Sequence, residues 1–266
     1  MTETTPLSKL LGYLEIDPEF LLFESLPLWQ IRRSAMRLFA ILLSLFVFGT
    51  LTASAQSREK IVLTGGPALR FMEHGKGAVS HDVYWFNFVD ASVVWLKKLK
   101  SEAKPDELVT WLIYRPAYQA RSDEMGLDLI SQLEGKGKQL GVNLLFFDNT
   151  DQLINYFNRG LDRSKVKISS FDYFGHSNKA CFLFDYSNII DTMSIAFLHV
   201  NDLKRIHDNV FASDALCKSW GCHSGELYSK KWKSHFDIAL TGAIGKTDFS
   251  HGALPVLSNS DGKWSQ

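Results

Sequence analysis

The chain is poor in proline, with 7 in 266 residues, has only three cysteines, and carries no excess of either charge, since Lys+Arg and Asp+Glu are 29 each. It also lacks a repeat period, a low-complexity run and a long Gly/Ser/Pro linker, which excludes solenoid, fibrous and disordered classes. Zero net charge removes the field that would recruit nucleic acid or anionic lipid, so no nucleic-acid partner is expected. No CxxC, HExxH or carboxylate cluster is present, so no standard metal-ligand set emerges. His74, His81 and His223 are read as loop histidines, and neither a metal nor another cofactor is expected. What the chain does have is apolar and aromatic content, 45% and 13%, enough to fill a core.

One segment is strongly biased. An uninterrupted apolar or small run, LFAILLSLFVFGTL, spans Leu38 to Leu51, with Arg32, Arg33 and Arg37 before it and Ala53-Ser54-Ala55 after it. A charged start, a short apolar core and an A-x-A exit describe a secretory signal peptide. The run is short of the ~20 residues that a membrane span needs. Reading from Met36 gives a compact signal over 36–55, with an uncleaved anchor over 38–55 as the alternative. Residues 1–35 are then an over-long start or a cytoplasmic extension, and 56–266 form one α/β domain. The expected location is periplasmic or extracellular, touching membrane only through the N-terminal segment if that stays uncleaved. In such a compartment cysteines can pair. Pairing of Cys181 with Cys217 leaves Cys222 free, and no pairing leaves three thiols; both remain open.

Beyond the signal, extended apolar runs alternate with helical patterns. Strands are expected at Ile61–Thr64, Leu108–Tyr114, Val142–Phe147, Ile168–Phe174, Ala215–Trp220 and Asp237–Ala243. Several are apolar on both faces, as strands covered on both sides must be. Helical spacing joins Phe86, Val89, Val93 and Leu96; then Leu127, Ile130 and Leu133; then Leu153, Ile154, Phe157 and Leu161; and finally Leu203, Ile206 and Val210. Alternating strand and helix predicts a three-layer αβα sandwich with a mostly parallel sheet.

Ligands of such sheets gather at the carboxyl ends of the strands, and two ends stand out. Phe171-Asp172-Tyr173-Phe174 runs into Gly175-His176-Ser177, and Ala215 to Trp220 runs into Gly221-Cys222-His223-Ser224-Gly225. The interval between the tips leaves room for one crossover containing a helix, which would set them side by side. A thiol beside an imidazole is the minimum for nucleophilic catalysis, the imidazole taking the proton and the thiolate attacking. Gly175 and Gly221 would let a substrate carbonyl approach the backbone, and amides near Cys222 would then meet the oxyanion.

From about Leu108 to Ser250 this order resembles the caspase-like cysteine peptidases, the group of caspases, legumains and gingipains. Gly-Cys222-His-Ser-Gly is similar to the legumain-type arrangement. The resemblance implies a caspase-like sheet, Cys222 as nucleophile, His176 as general base, the Ser177 and Cys222 amides as oxyanion donors, and a peptide or protein as substrate. Two positions depart from the family pattern: Ser177 stands where glycine usually follows the histidine, and Gly221 where alanine usually precedes the nucleophile. The region Ile61 to Lys100 is extra to that pattern, an added strand and helix.

Other readings compete. A module of the same fold without catalysis would act as an envelope binding protein. Gly175-His176-Ser177-Asn178-Lys179 lacks the last glycine of the G-x-S-x-G elbow of serine hydrolases, and Ala180 to Tyr186 reads as strand; Ser177 with His235 or His251 is the third reading. Gly245-Lys246-Thr247 imitates the end of a phosphate loop, but Leu240 stands where its first glycine belongs. It is read as a glycine turn beside the active edge, with Asp248 a candidate groove residue. Asp172 is expected at an exposed strand position, and Lys97, Lys98 and Lys100 at a solvated helix end.

Overall fold

The computed structural model describes residues 57–67, 86–185, 196–250, 253–258 and 260–265. The segments read as extension and signal, 1–35 and 36–55, lie outside them, as do His74, His81 and His251. Among the described residues no helix is long and apolar enough to cross a membrane.

The elements follow in chain order as β1 (Ser57–Thr64), α1 (Asn87–Glu102), β2 (Glu107–Tyr114), α2 (Arg115–Met125), α3 (Leu129–Leu140), β3 (Asn143–Phe147), α4 (Thr150–Arg159) and β4 (Val166–Phe174). Three short strands come next, β5 (His176–Ser177), β6 (Cys181–Leu183) and β7 (Phe197–His199), then β8 (Phe211–Ser219), α5 (Leu227–Phe236) and β9 (Leu240–Thr241). The chain closes with β10 (Ala243–Ile244), β11 (Thr247–Asp248), β12 (Val256–Leu257) and β13 (Lys263–Trp264).

Six strands form one sheet in the order β3-β2-β1-β4-β8-β9, and every neighbouring pair is parallel. Helices cover both faces, so the α/β sandwich expected from the strand and helix alternation is what the chain adopts. The order reverses between β1 and β4, the arrangement of doubly wound sheets, whose ligand crevice opens at the carboxyl side of the reversal. β1 is therefore central: it pairs with β2 on one side and β4 on the other. The region Ile61 to Lys100, expected as an addition, instead supplies the sheet's middle strand and the helix packed over it.

Each face has its own core. On one, Leu63, Leu112, Phe171 and Tyr173 meet Leu153 and Phe157 of α4 and Tyr228 and Trp232 of α5. Aromatic rings stack through it, Tyr173 on Phe182 at 4.2 Å and Phe182 on Tyr228 at 4.0 Å between centroids; such pairs add about 0.5–1.5 kcal/mol each beyond burial. On the other face Val62, Trp111 and Ile113 meet Val89 and Leu96 of α1 and Leu133 of α3. On this second face the Trp111 Nε1–H donates to Thr64 Oγ1 at 2.8 Å, and Thr64 shares a 2.7 Å hydrogen bond with Ser92, whereas Tyr228 Oη, Trp232 Nε1 and Trp95 Nε1 are buried without a hydrogen-bond partner among the described residues.

Four expectations need correction. Leu203, Ile206 and Val210 do not make a helix; a three-residue 3-10 turn, Leu203–Arg205, is all that forms, because Ile206 and Val210 enter the core from an irregular segment ahead of β8. The crossover from β4 to β8 consequently contains, among the described residues, an antiparallel meander β5-β6-β7 rather than a full helix. The strand expected over Asp237–Ala243 shrinks to Leu240–Thr241, since α5 runs to Phe236 and Asp237 caps it in the left-handed conformation. Asp172 is not exposed but 2% accessible, facing the side of the sheet that Trp220 covers.

Candidate functional site

The geometry of the two strand ends follows from sheet register. Tyr173 of β4 stands opposite Ser219 of β8, and the Trp220 N–H donates to the Tyr173 carbonyl at 2.9 Å. Both chains then leave the sheet at the same level, so Gly175-His176-Ser177 and Gly221-Cys222 emerge against each other. Contact is direct: the Ser177 hydroxyl donates to the Cys222 carbonyl at 2.5 Å. A β-carbon on Gly221 would lie 2.3 Å from Ser177 Oγ and 2.7 Å from the Gly175 carbonyl oxygen, so only glycine fits there. β1 ends beside them, with the Gly65 N–H donating to the Phe174 carbonyl at 2.8 Å. The His176 edge thus borders the sheet's reversal, where a ligand crevice is expected.

The Cys222 sulfur is half-buried against β11. It accepts the Thr247 N–H at 3.3 Å and lies 3.5 Å from Thr247 Oγ1. Among the described residues the Cys222 N–H has no acceptor of its own, which leaves this amide for an external oxygen. Ser224 supports the turn from beneath, its hydroxyl donating to the Gly221 carbonyl at 2.9 Å. His176, also half-buried, sets its ring edge-on to Phe88 at 4.8 Å, and Phe88 meets Phe249 edge-on at 4.8 Å. Phe88 at the start of α1 therefore bridges the His176 loop and the segment that holds the sulfur.

Sequence reasoning passed over a second link between the loops. His223 has a positive φ of 58° and is held there by its N–H to the Gly245 carbonyl, 2.7 Å. Its Nδ1 lies 2.7 Å from Glu226 Oε1, while Glu226 Oε2 takes the Lys179 ammonium at 2.7 Å. Lys179, then His223, hold the Glu226 carboxyl below its ordinary range. One carboxylate thus ties the turn after His176 to the turn after Cys222. His223 sits in that network rather than in a loop without a role, and its signal was its place one residue past Cys222.

The remaining candidates fall as follows. Ser177 is buried, its hydroxyl is spent on the Cys222 carbonyl, and a strand hairpin follows it where an elbow requires a helix. Asp248 lies on β11, one residue beyond Thr247, and its carboxylate accepts the Ser250 N–H at 2.7 Å. Cys181, Cys217 and Cys222 are all free thiols. Burial pushes the Cys181 thiol up to about 11, and Cys217 higher still. Among the described residues no group of three His, Cys, Asp or Glu side chains is placed to hold a metal ion.

Comparison with known proteins finds no matching family, no similar curated protein and no similar solved structure.

Proposed function

We propose that this chain is a caspase-like cysteine hydrolase that cleaves a peptide bond through a Cys222–His176 dyad. The observation that carries the reading is the meeting of the β4 and β8 ends, with Ser177 bonded to the Cys222 carbonyl and the Cys222 N–H left open. In the reaction, His176 takes the thiol proton and the sulfur attacks the scissile carbonyl. The carbonyl oxygen gains charge as the tetrahedral intermediate forms, and the Cys222 amide, with that of Ser177, meets it. His176 returns the proton to the departing amine, leaving a thioester on Cys222. Water, deprotonated by the same imidazole, then releases the acid. The N-terminal run over 36–55 would export the enzyme, making envelope or extracellular peptides its substrates.

A catalytically inactive module of the same fold is the second reading. It is favoured by one observation, the close wrapping of the sulfur by Thr247.

The experiment is the rate of iodoacetamide labelling at Cys222 against pH, in the wild type and in His176→Ala. For the dyad, Cys222 labels well below the pH at which a free thiol (pKa ≈ 8.5) begins to react, and His176→Ala slows labelling at pH 6.5 by at least ~10-fold. Labelling like a free thiol, indifferent to His176, removes the enzyme and leaves the binding module.

A further inference from the structure

A cavity of about 550 Å³ lies away from Cys222 and His176, between α1 and the β4-β8-β9 half of the sheet. Among the described residues no helix crosses this part of the face, and Leu216 on β8 is 77% exposed although its strand is flanked on both sides. Charges at the rim cancel in pairs: Arg58 with Asp214 at 2.8 Å, Lys60 with Glu107 at 3.0 Å, and Lys98 with Glu102 at 4.0 Å. Two charged groups on the floor remain, Asp172 and Lys218, opposite each other in register on β4 and β8.

These two do not form a salt bridge. The Asp172 carboxylate accepts from Ser170 Oγ at 3.0 Å and from Trp220 Nε1 at 3.3 Å. The Lys218 ammonium instead lies over the rings of Trp220 and Trp264, 3.5 and 4.0 Å from their centroids. Lys218 makes no ion pair among the described residues. A cation lining a cavity, held by ring faces that accept no hydrogen bond, has its N–H donors unspent. The group that satisfies such donors while neutralising the charge is a carboxylate. Leu99 and Trp95 of α1 supply apolar wall beside it, which suits a ligand with a compact hydrophobic body.

We propose that this cavity binds a small organic carboxylate, its anionic end on Lys218 and its apolar body against Leu99 and Trp95. Asp172 modulates the site. Burial raises its carboxyl to about 6 against the opposing pull of its hydrogen bonds and of Lys218. Above that value its negative charge competes with the ligand for Lys218; below it the competition ends. Asp214, bonded to Arg58, and Glu107, which burial pushes up but the Lys104 N–H and Lys60 hold down, both lie below the ordinary carboxylate range, which leaves Asp172 to set the pH dependence.

The test is calorimetric titration of the full-length chain with benzoate at pH 5.5 and pH 7.5, with neutral benzamide as the uncharged isostere. Expected are saturable one-to-one binding of benzoate, several-fold tighter at pH 5.5, and at least ten-fold weaker benzamide. Lys218→Met should weaken benzoate at least ten-fold while Lys218→Arg retains it, and Asp172→Asn should bind equally at both pH values. Absence of saturable benzoate binding, equal binding of benzamide, or Lys218→Met binding like the wild type would each overturn the proposal. None of these outcomes depends on the Cys222–His176 reading.

Discussion

Ser177 and Gly221 share one space: the serine hydroxyl reaches the Cys222 carbonyl through the volume that a side chain at 221 would fill. A side chain at 221 and the serine at 177 are therefore mutually exclusive, and the glycine at one strand end makes room for the bulk at the other. Gly221→Ala alone should destabilise by about 1–3 kcal/mol through overpacking. Adding Ser177→Gly should recover part of that loss, the remainder reflecting the Gly175 carbonyl at 2.7 Å. Urea unfolding of the two single variants and the double measures the coupling, expected at about 0.5–3 kcal/mol for residues in contact. Strict additivity would mean the two positions do not share space.

Glu226 should matter to stability only where it is ionised. Lys179 and His223 lower its carboxyl below the ordinary value, so its contribution is complete above the unfolded-state value of ~4.3 and is lost as pH falls through the lowered folded value. With a partly exposed carboxylate the effect is small, no more than about 1 kcal/mol. The urea midpoint of Glu226→Gln should lie below wild type at pH 7, and the gap should close by pH 3. A gap that persists at pH 3 would assign the loss to packing.

Asp172 gives the opposite sign. Its folded value of about 6 lies above that of the unfolded chain, so burying the charge costs stability. The cost is absent below the unfolded value of ~3.9, grows through the interval, and is fully present above pH 6. Asp172→Asn keeps an acceptor for Trp220 Nε1 without the charge. Relative to wild type it should therefore gain stability between pH 4 and pH 6.5, by a total on the order of 1–3 kcal/mol. Asp172→Ala, which leaves the Trp220 N–H unpaired in a buried place, should lose about 1–3 kcal/mol relative to Asp172→Asn. Thermal scans across pH 3.5 to 7.5 read both.

What was legible in the sequence was what repeats locally. Ile61–Thr64, Leu108–Tyr114 and Ile168–Phe174 are apolar on both faces, and a strand buried in a parallel sheet leaves that mark whatever its neighbours. The adjacency of the His176 and Cys222 ends followed from the same marks, because consecutive elements usually lie side by side. The helix after Cys222 was not read: Tyr228, Trp232 and Phe236 stand at helical spacing, but Lys230, Lys231 and Lys233 between them blur its apolar density. Asp172 was not legible at all. A single acid in a strand reads as exposed, and part of its compensation comes from Trp220, just past the end of another strand. Thr247 against the sulfur and Lys179 on Glu226 are likewise pairings between segments, fixed by packing and carrying no local pattern.

The same rule governs the buried ion pair of Glu59 and Arg163. Glu59 on β1 is 0% exposed and receives Arg163 Nη1 at 2.6 Å, with the Thr110 and Tyr156 hydroxyls donating at 2.5 Å each. Arg163 in turn donates through Nε to the Phe157 carbonyl at 2.8 Å, anchoring the end of α4 to the central strand. Such pairs contribute little net stability while intact, because desolvation offsets their attraction, but removing one partner leaves a buried charge alone. Arg163→Leu should therefore cost about 3–5 kcal/mol at pH 7. Glu59→Gln combined with Arg163→Leu should unfold less readily at pH 7 than Arg163→Leu alone, since the amide still accepts from Thr110 and Tyr156 without carrying charge. Urea midpoints of the wild type and the two variants at pH 7 decide it. A double variant no better than Arg163→Leu would mean that the arginine serves by packing and by its bond to Phe157, not by neutralising Glu59.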